Sequence, residues 1–350
     1  MVDLPKDMEN SSVSSDKPIV IEVTRGNMVE SRHIGAAAVM KIDGSVADAW
    51  GDIDTPVMAR SAIKPLQAIP LVESGAADHF GLTDMHLSLA CASHNGEPRH
   101  VEAVRAWLDR IGLGEGDLEC GVHAPTRLPI YESFLRTGAV VTAAFNNCSG
   151  KHTGFLATAV HKGEPTRGYI RRDHPVQQRL LGIYEQLAQC DLSRAPLGTD
   201  GCGIPTVGVP LRHMALAMAN MANPVRLPEA RAKAIRRIRA AMNAEPFYIA
   251  GTGRFCTRIN GTLKDVAQIK TGAEGVYCGM LPTLGVGIAL KIWDGSGRAS
   301  EVAMATIMRH LGVLSDAQYD AAVTPPVLNV VGLKVGDIRP AASWLGTIAA

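Results

Sequence analysis

Ile19-Val20-Ile21-Glu22-Val23-Thr24-Arg25, followed after a short gap by GAAAVMKIDGSVADAWG at positions 35–51, opens the patterned part of the sequence. The first stretch is β-branched and alternating, the mark of a strand. The second is two apolar runs, Gly35–Ile42 and Ser45–Gly51, on either side of Asp43-Gly44. That dipeptide supplies the positive φ angles of a two-residue hairpin turn, so an antiparallel sheet begins here. Working outward, strand patterns return only in the last third, at 265–270, 275–281 and 286–293, the last ending at Asp294-Gly295. Helical periodicity occupies the middle, near 83–91, 97–111, 150–161, 175–189, 211–221, 226–243 and 300–311. In 97–111 the apolar stripe is Val101, Val104, Trp107, Leu108 and Ile111. From Ser61 to Glu73 the pattern is also helical; Pro65 falls in a first turn, whereas Pro70 must kink or end the segment. Strands, then helices, then strands imply an α+β fold: an antiparallel sheet built from both chain ends, with a helical lobe between. The regular β–α alternation of a doubly wound parallel sheet is absent. We expect residues 18–345 to form a single bilobed domain, preceded by a disordered head, 1–17, rich in Ser and acid.

Composition narrows the function classes. The 350 residues are 46% hydrophobic and 20% charged, with Lys+Arg 35 against Asp+Glu 34. No charge excess favours non-specific binding to nucleic acid or an anionic membrane. Aromatics, at 5%, are too few for a base-stacking surface. No apolar run reaches the roughly 18 residues of a membrane span. The head lacks the apolar core of a signal peptide, so the expected location is cytoplasmic. The 7 cysteines are an odd number and, in a reducing compartment, read as thiols or metal ligands.

Three short motifs occur in one order. Ser61-Ala62-Ile63-Lys64 is S-x-x-K, whose spacing puts both side chains on one helix face. A neutral lysine there can take the proton of a serine nucleophile. Alone, the motif reads equally as a helix N-cap with a solvated lysine. Ser93-His94-Asn95 is S-x-N and Lys270-Thr271-Gly272 is K-T-G; alone, each reads as a turn at the end of an element. Together they approach the motif set of penicillin-binding proteins and serine β-lactamases, and so point to acyl transfer through a serine ester. Two cysteine motifs follow, Asn147-Cys148-Ser149-Gly150-Lys151-His152 and Asp200-Gly201-Cys202-Gly203. Their thiols, with Lys and His nearby, could bind a metal, although the spacing is not a standard zinc pattern and two structural thiols in tight turns read as well. Lysine is an unusual ligand because it must first lose its proton.

With Ala59-Arg60-Ser61-Ala62-Ile63-Lys64-Pro65, Cys91-Ala92-Ser93-His94, Gly198-Thr199-Asp200-Gly201-Cys202 and Gly253-Arg254-Phe255-Cys256-Thr257, the chain resembles the Rhizobium etli-type L-asparaginases, the thermolabile asparaginase II family, from about residue 18 to 335. The resemblance implies a serine β-lactamase/glutaminase-like fold and a homodimer. It implies two Ser–Lys pairs, Ser61 with Lys64 and Ser93 with Lys270, and a zinc-type site at Cys148, Lys151 and Cys202 completed by water. Arg60, His152 and Asp200 match positions close to substrate and metal.

The reaction so implied is hydrolysis of L-asparagine to L-aspartate and ammonia. Ser61 attacks the side-chain amide with Lys64 as its base, and Ser93 relays a proton; Ser93 as nucleophile with Lys270 as base is the alternative. Neutralising an ordinary lysine at pH 7 costs about 4.6 kcal/mol. Burial and a second cation both lower that cost, so two lysines around one serine have a use: one stays neutral because the other is charged. Arg60 could clamp the α-carboxylate and Asp200 the ammonium of a free amino acid. His152 is expected at the substrate or behind the ligands. Two thiolates would make the metal a poor Lewis acid, so tuning or holding the pocket is its expected role. Rival readings are a glutaminase or another serine amidohydrolase and, from a different class, a zinc-binding sensor without catalysis.

Overall fold

A computed structural model gives the fold and describes residues 17–125, 127–138, 140–323 and 326–344. The expected head, apart from Lys17, lies outside the described residues. The chain divides into two compact units. One, the sheet unit, comprises the chain up to Ala62, residues 209–223 and the chain from Thr271; the other, the helical unit, comprises 63–208 and 224–270.

In chain order, the sheet unit begins with β1 (Ile19–Arg25), β2 (Met28–Lys41), β3 (Val46–Trp50) and β4 (Pro56–Met58). The helical unit follows with α1 (Lys64–Gln67), α2 (Ile69–Glu73), α3 (Ala76–His79), α4 (Asp84–Ala90), α5 (Pro98–Arg110), α6 (Leu128–Thr137), α7 (Ser149–Lys162), α8 (Pro175–Ala188) and β5 (Leu197–Thr199). The chain then passes through β6 (Pro205–Pro210) to α9 (Leu211–Ala222) of the sheet unit. It returns for α10 (Glu229–Ala244), α11 (Pro246–Ala250) and α12 (Phe255–Leu263), and leaves through β7 (Gln268–Thr271). The sheet unit closes with β8 (Val276–Leu281), β9 (Val286–Ile292), α13 (Gly297–His310), α14 (Asp316–Val323), β10 (Pro326–Leu328) and β11 (Lys334–Pro340).

The strands of the sheet unit run in the order β10-β11-β1-β2-β9-β8, with β3 also on β2. Every pairing is antiparallel, with Val23 opposite Ile338, Ala38 opposite Ala289 and Cys278 opposite Ala289. Strands from both chain ends thus share one sheet, β1 and β2 lying between β11 and β9. The Asp43-Gly44 turn is wider than the two-residue form. Gly44 N–H donates to Lys41 O and Lys41 N–H to Ser45 O, with Gly44 at φ 87°. This is a turn closed by a left-handed glycine bulge, the three-residue alternative. Helix α9, buried almost all round, packs on β9, β2 and β8. It comes so close that a Cβ on Gly287 of β9 would stand 2.1 Å from Ala219 N.

The helical unit is organised about α7, which is buried from Ser149 to Ala159 and packs against α2, α3, α4, α5 and α8. A helix that offers no polar face is a core helix. Gly150 lets it reach α4, since a Cβ there would stand 2.4 Å from Leu89 O. The stripe of α5 faces inward, with Val104 and Trp107 at 0% exposure. The segment from Ser61 breaks where its prolines require: a 3-10 turn at Arg60–Ile63, then α1 and α2 with Pro65 and Pro70 each in a first turn. The strand expected at 265–270 starts later, because Lys264–Val266 is a 3-10 turn. Among the described residues no helix is long and apolar enough to cross a membrane.

Candidate active site

Helix α4 ends at Cys91, and the chain runs extended through Ser93, His94 and Asn95. Three backbone bonds fix this segment: Ser93 N–H to Ile249 O (2.9 Å), His94 N–H to Asn147 O (3.2 Å) and Asn95 N–H to Ala250 O (2.9 Å). It is thereby held between the start of α7 and the end of α11. The His94 ring adds to this. Its Nδ1 accepts from Gly96 N–H, so its Nε2 donates to Ser149 Oγ at 2.9 Å. Burial, then the charges of His100 and Lys64, keeps His94 neutral by holding its pKa well below the usual value.

Ser93 Oγ has a lysine on each side. Lys64 Nζ, from the first turn of α1, lies at 3.0 Å and Lys270 Nζ, from β7, at 2.8 Å. Both lysines are buried, at 0% and 1% exposure. Lys64 also donates to Ala92 O at 2.5 Å and to Cys148 Sγ at 3.1 Å, so its ammonium has three acceptors. Lys270 differs. Burial, then the charges of Lys64 and Arg254, outweigh Cys256 and Cys148 and bring its pKa down to about 7. The neutral form of Lys270 is thus accessible at physiological pH.

On the Lys64 side lies a chain of sulfur and nitrogen. Lys151 Nζ, one turn into α7, is 3.1 Å from Cys202 Sγ. The Cys202 thiol donates to Cys148, and that bond, with Lys64 and Lys151 nearby, holds Cys148 well below the ordinary thiol value against its burial. Cys202 is pushed up by that same bond and by burial. Burial opposes the charge on Lys151, but Cys202, Cys148 and Asp200 outweigh it and raise its pKa. Asp200 sits in the turn after β5, where its N–H donates to Ile204 O (2.9 Å) and its carboxylate accepts from Gly201 N–H (2.6 Å). Cys148, Cys202 and Lys151 are the residues that could hold a metal here. Among the described residues no group of three or more His, Cys, Asp or Glu could do so, and beside the two thiols Lys151 would be the further protein donor. The donor set fits a zinc-type ion once the ion displaces the Lys151 proton.

His152, 0% exposed, faces this cluster. Its Nδ1 lies 2.8 Å from the Tyr169 hydroxyl, which itself accepts from Glu119 N–H. Burial, then Lys151 and Lys64, holds the His152 pKa well below its usual value, so the ring is neutral. Nε2 is buried with no hydrogen-bond partner among the described residues. A buried, unsatisfied ring nitrogen of this kind is a place for a partner from substrate or water.

Of the residues singled out from sequence, Lys64, Ser93, Lys270, Cys148, Lys151, His152, Cys202 and Asp200 all belong to the helical unit. Arg60 and Ser61 belong to the sheet unit, in the 3-10 turn at Arg60–Ile63. Arg60 adopts φ 48°, in the left-handed region that a non-glycine residue seldom occupies. Sequence reasoning passed over Arg254, whose Nη1 donates to Asn95 Oδ1 at 2.9 Å, and Glu97 behind it. For Arg254 a signal existed, a GTGRFCT run at 251–257; for Glu97 there was none.

The sequence model of L-asparaginase II matches residues 21–340. The chain belongs to that family. No curated protein matches it. Solved structures of similar fold include a Bacteroides dorei protein described as a candidate beta-lactamase, at 15% identity and TM-score 0.45, covering 79% of this chain and 93% of the other. The native form of Mglu has 17% identity and TM-score 0.41, over 75% of this chain and 59% of Mglu. A Bacillus glutaminase has 12% identity and TM-score 0.35, over 83% and 91%.

Proposed function

We propose that this member of the family hydrolyses L-asparagine to L-aspartate and ammonia through an ester on Ser93. Membership of an asparaginase family supports an enzyme acting on an amide. The observation that carries the finer reading is Ser93 Oγ between two buried lysine nitrogens, at 2.8 and 3.0 Å, one of them titrating near 7. Lys270 removes the Ser93 proton as Oγ adds to the amide carbon. The tetrahedral adduct collapses, the C–N bond breaks, and the amine leaves as ammonia with the proton Lys270 returns. Water then adds to the ester, its proton passing to Lys270, and aspartate and the free serine result. Lys64, which reaches Ala92 O, Ser93 Oγ and Cys148 Sγ, lies beside the oxygen and can donate to it as the alkoxide forms. The buried Nε2 of His152 is assigned to the substrate and Asp200 to its α-ammonium. Cys148, Cys202 and Lys151 would hold a zinc-type ion, which when bound supplies fixed positive charge next to Lys64. The other assignment, acylation of Ser61 with Lys64 as base, is supported by the S-x-x-K spacing and by the family resemblance.

The test is ammonia release from asparagine and from glutamine by the wild type, Ser93→Ala and Ser61→Ala, with acid-quenched turnover mapped for the esterified serine. We expect asparagine to be preferred, Ser93→Ala to be inactive and the ester to lie on Ser93. Faster turnover of glutamine would overturn the substrate, and an ester on Ser61 would overturn the nucleophile.

A further inference from the structure

The mechanism above leaves a buried phenol unused. Tyr169 is 0% exposed, and its hydroxyl lies 2.8 Å from Nδ1 of His152. The two rings meet edge to face, with centroids 5.4 Å apart and planes at 71°. Glu119 grips the tyrosine twice. Its backbone N–H donates to the Tyr169 hydroxyl at 2.8 Å, and its Oε1 accepts from the N–H of Gly168, the preceding residue, also at 2.8 Å. Gly168 turns the chain there at φ 70°, a conformation that glycine adopts without strain. Gln177, in the first turn of α8 and 2% exposed, donates from Nε2 to Tyr169 O at 2.9 Å. Both ends of the tyrosine are therefore fixed, its backbone by Gln177 and its hydroxyl by Glu119. The grip has a cost, because Glu119 Oε2 is buried with no hydrogen-bond partner among the described residues. Such a defect calls for a reason.

We infer that Tyr169, gripped by Glu119 and Gln177, is the positioning residue for His152: its hydroxyl selects one of the two orientations of the ring and so sets where Nε2 points. The inference rests on the reading of His152 as a substrate contact. The last torsion of a histidine side chain is broad and nearly two-fold. A half-turn exchanges Nδ1 with Cδ2 and Nε2 with Cε1, so the ring fills the same space either way. Packing against Phe155, at a centroid distance of 5.7 Å, does not choose between the two. A hydrogen bond to Nδ1 does, because the flipped ring would turn a C–H toward the hydroxyl. His152 Nε2 has no partner among the described residues, so its direction matters to a group that enters from outside the fold. Removing the hydroxyl would leave Nδ1 without that partner in the competent orientation, which disfavours the orientation by about 5-fold or more. Apparent affinity for the substrate falls with the competent fraction.

The experiment measures kcat and KM for asparagine, and Tm, in the wild type, Tyr169→Phe, His152→Ala and the Tyr169→Phe/His152→Ala double variant. Tyr169→Phe is expected to raise KM by about 5- to 30-fold with kcat within about threefold. His152→Ala should raise KM at least as far. The double variant should match His152→Ala within about twofold, because the phenol acts through the ring that both lack. A merely structural tyrosine would lower Tm and leave KM of the folded chains unchanged, or its loss would multiply with that of His152→Ala; either result overturns the inference. If Tyr169→Phe does not fold, Glu119→Ala, which frees Gly168 but keeps the tyrosine, should raise KM by about 2- to 10-fold; wild-type KM in that variant also overturns it. His152→Ala separates the two levels. A raised KM in His152→Ala beside wild-type KM in Tyr169→Phe removes only the role of Tyr169. Wild-type KM in His152→Ala, or a wild type inert toward asparagine, removes the substrate contact on which that role depends.

Discussion

Replacing Lys270 by arginine keeps a cation beside Ser93 but removes a group that can be neutral at working pH. With Lys270 brought down to about 7, roughly half of it is free amine at pH 7. An unshifted lysine would be neutral in only about one molecule in 2,500, and an arginine in fewer than about one in 10⁵. If the free amine of Lys270 is the base, Lys270→Arg loses at least about 10³-fold in kcat/KM. The wild type carries the matching signature. Its kcat/KM rises with pH through about 7, falling about tenfold per unit well below that point. The same depression predicts a stability effect. A folded-state pKa below the unfolded value of 10.5 means that the unfolded chain binds more protons between about pH 7 and 10.5, so stability increases as pH rises through that window. Near pH 7 the buried lysine costs stability on the order of 4 kcal/mol, and Lys270→Met should therefore be inactive yet melt higher than the wild type. Ammonia release between pH 5.5 and 8.5, with thermal melts of the same samples, tests all of this. A flat wild-type profile, or Lys270→Arg within about tenfold of wild type, would refute the assignment of the base.

Two further outcomes are expected. Cys202→Ser should remove any metal co-purifying with the wild type, read as zinc per chain by elemental analysis, while the far-UV spectrum stays unchanged; full zinc occupancy in that variant would show that the ion sits elsewhere. Gly150→Ala should destabilise the helical unit by about 2 kcal/mol or more in denaturant melts, since its new Cβ would meet Leu89 O at 2.4 Å and neither helix backbone can yield cheaply; a melt within about 0.5 kcal/mol of wild type would contradict the close approach of α4 and α7.

What the sequence disclosed depended on whether the signal was local. The α+β order was legible because strand alternation and helical periodicity are properties of short windows, as in Ile19–Arg25 and the stripe of α5. The pairing of β1 with β11 was legible only as the statement that both ends contribute strands; Val23 opposite Ile338 is a long-range contact that no window contains. The site followed the same rule. Ser93, Lys64, Lys270, Cys148 and Cys202 could be proposed because each sits in a motif, but motifs give residue types and not fields. How each lysine would act depends on its surroundings. Lys64 meets a carbonyl, a hydroxyl and a sulfur, and Lys270 is buried with two cations, Lys64 and Arg254, pressing on it. Spacing and the family resemblance point to Lys64 as a base for Ser61, which it follows by one helical turn. Glu97 left no trace in the sequence, because its donors come from Asn95, Thr252 and Arg127, and two of those three partners are remote in sequence. The chemistry of such a site depends on the charges and dipoles gathered around each group, which only the folded chain defines.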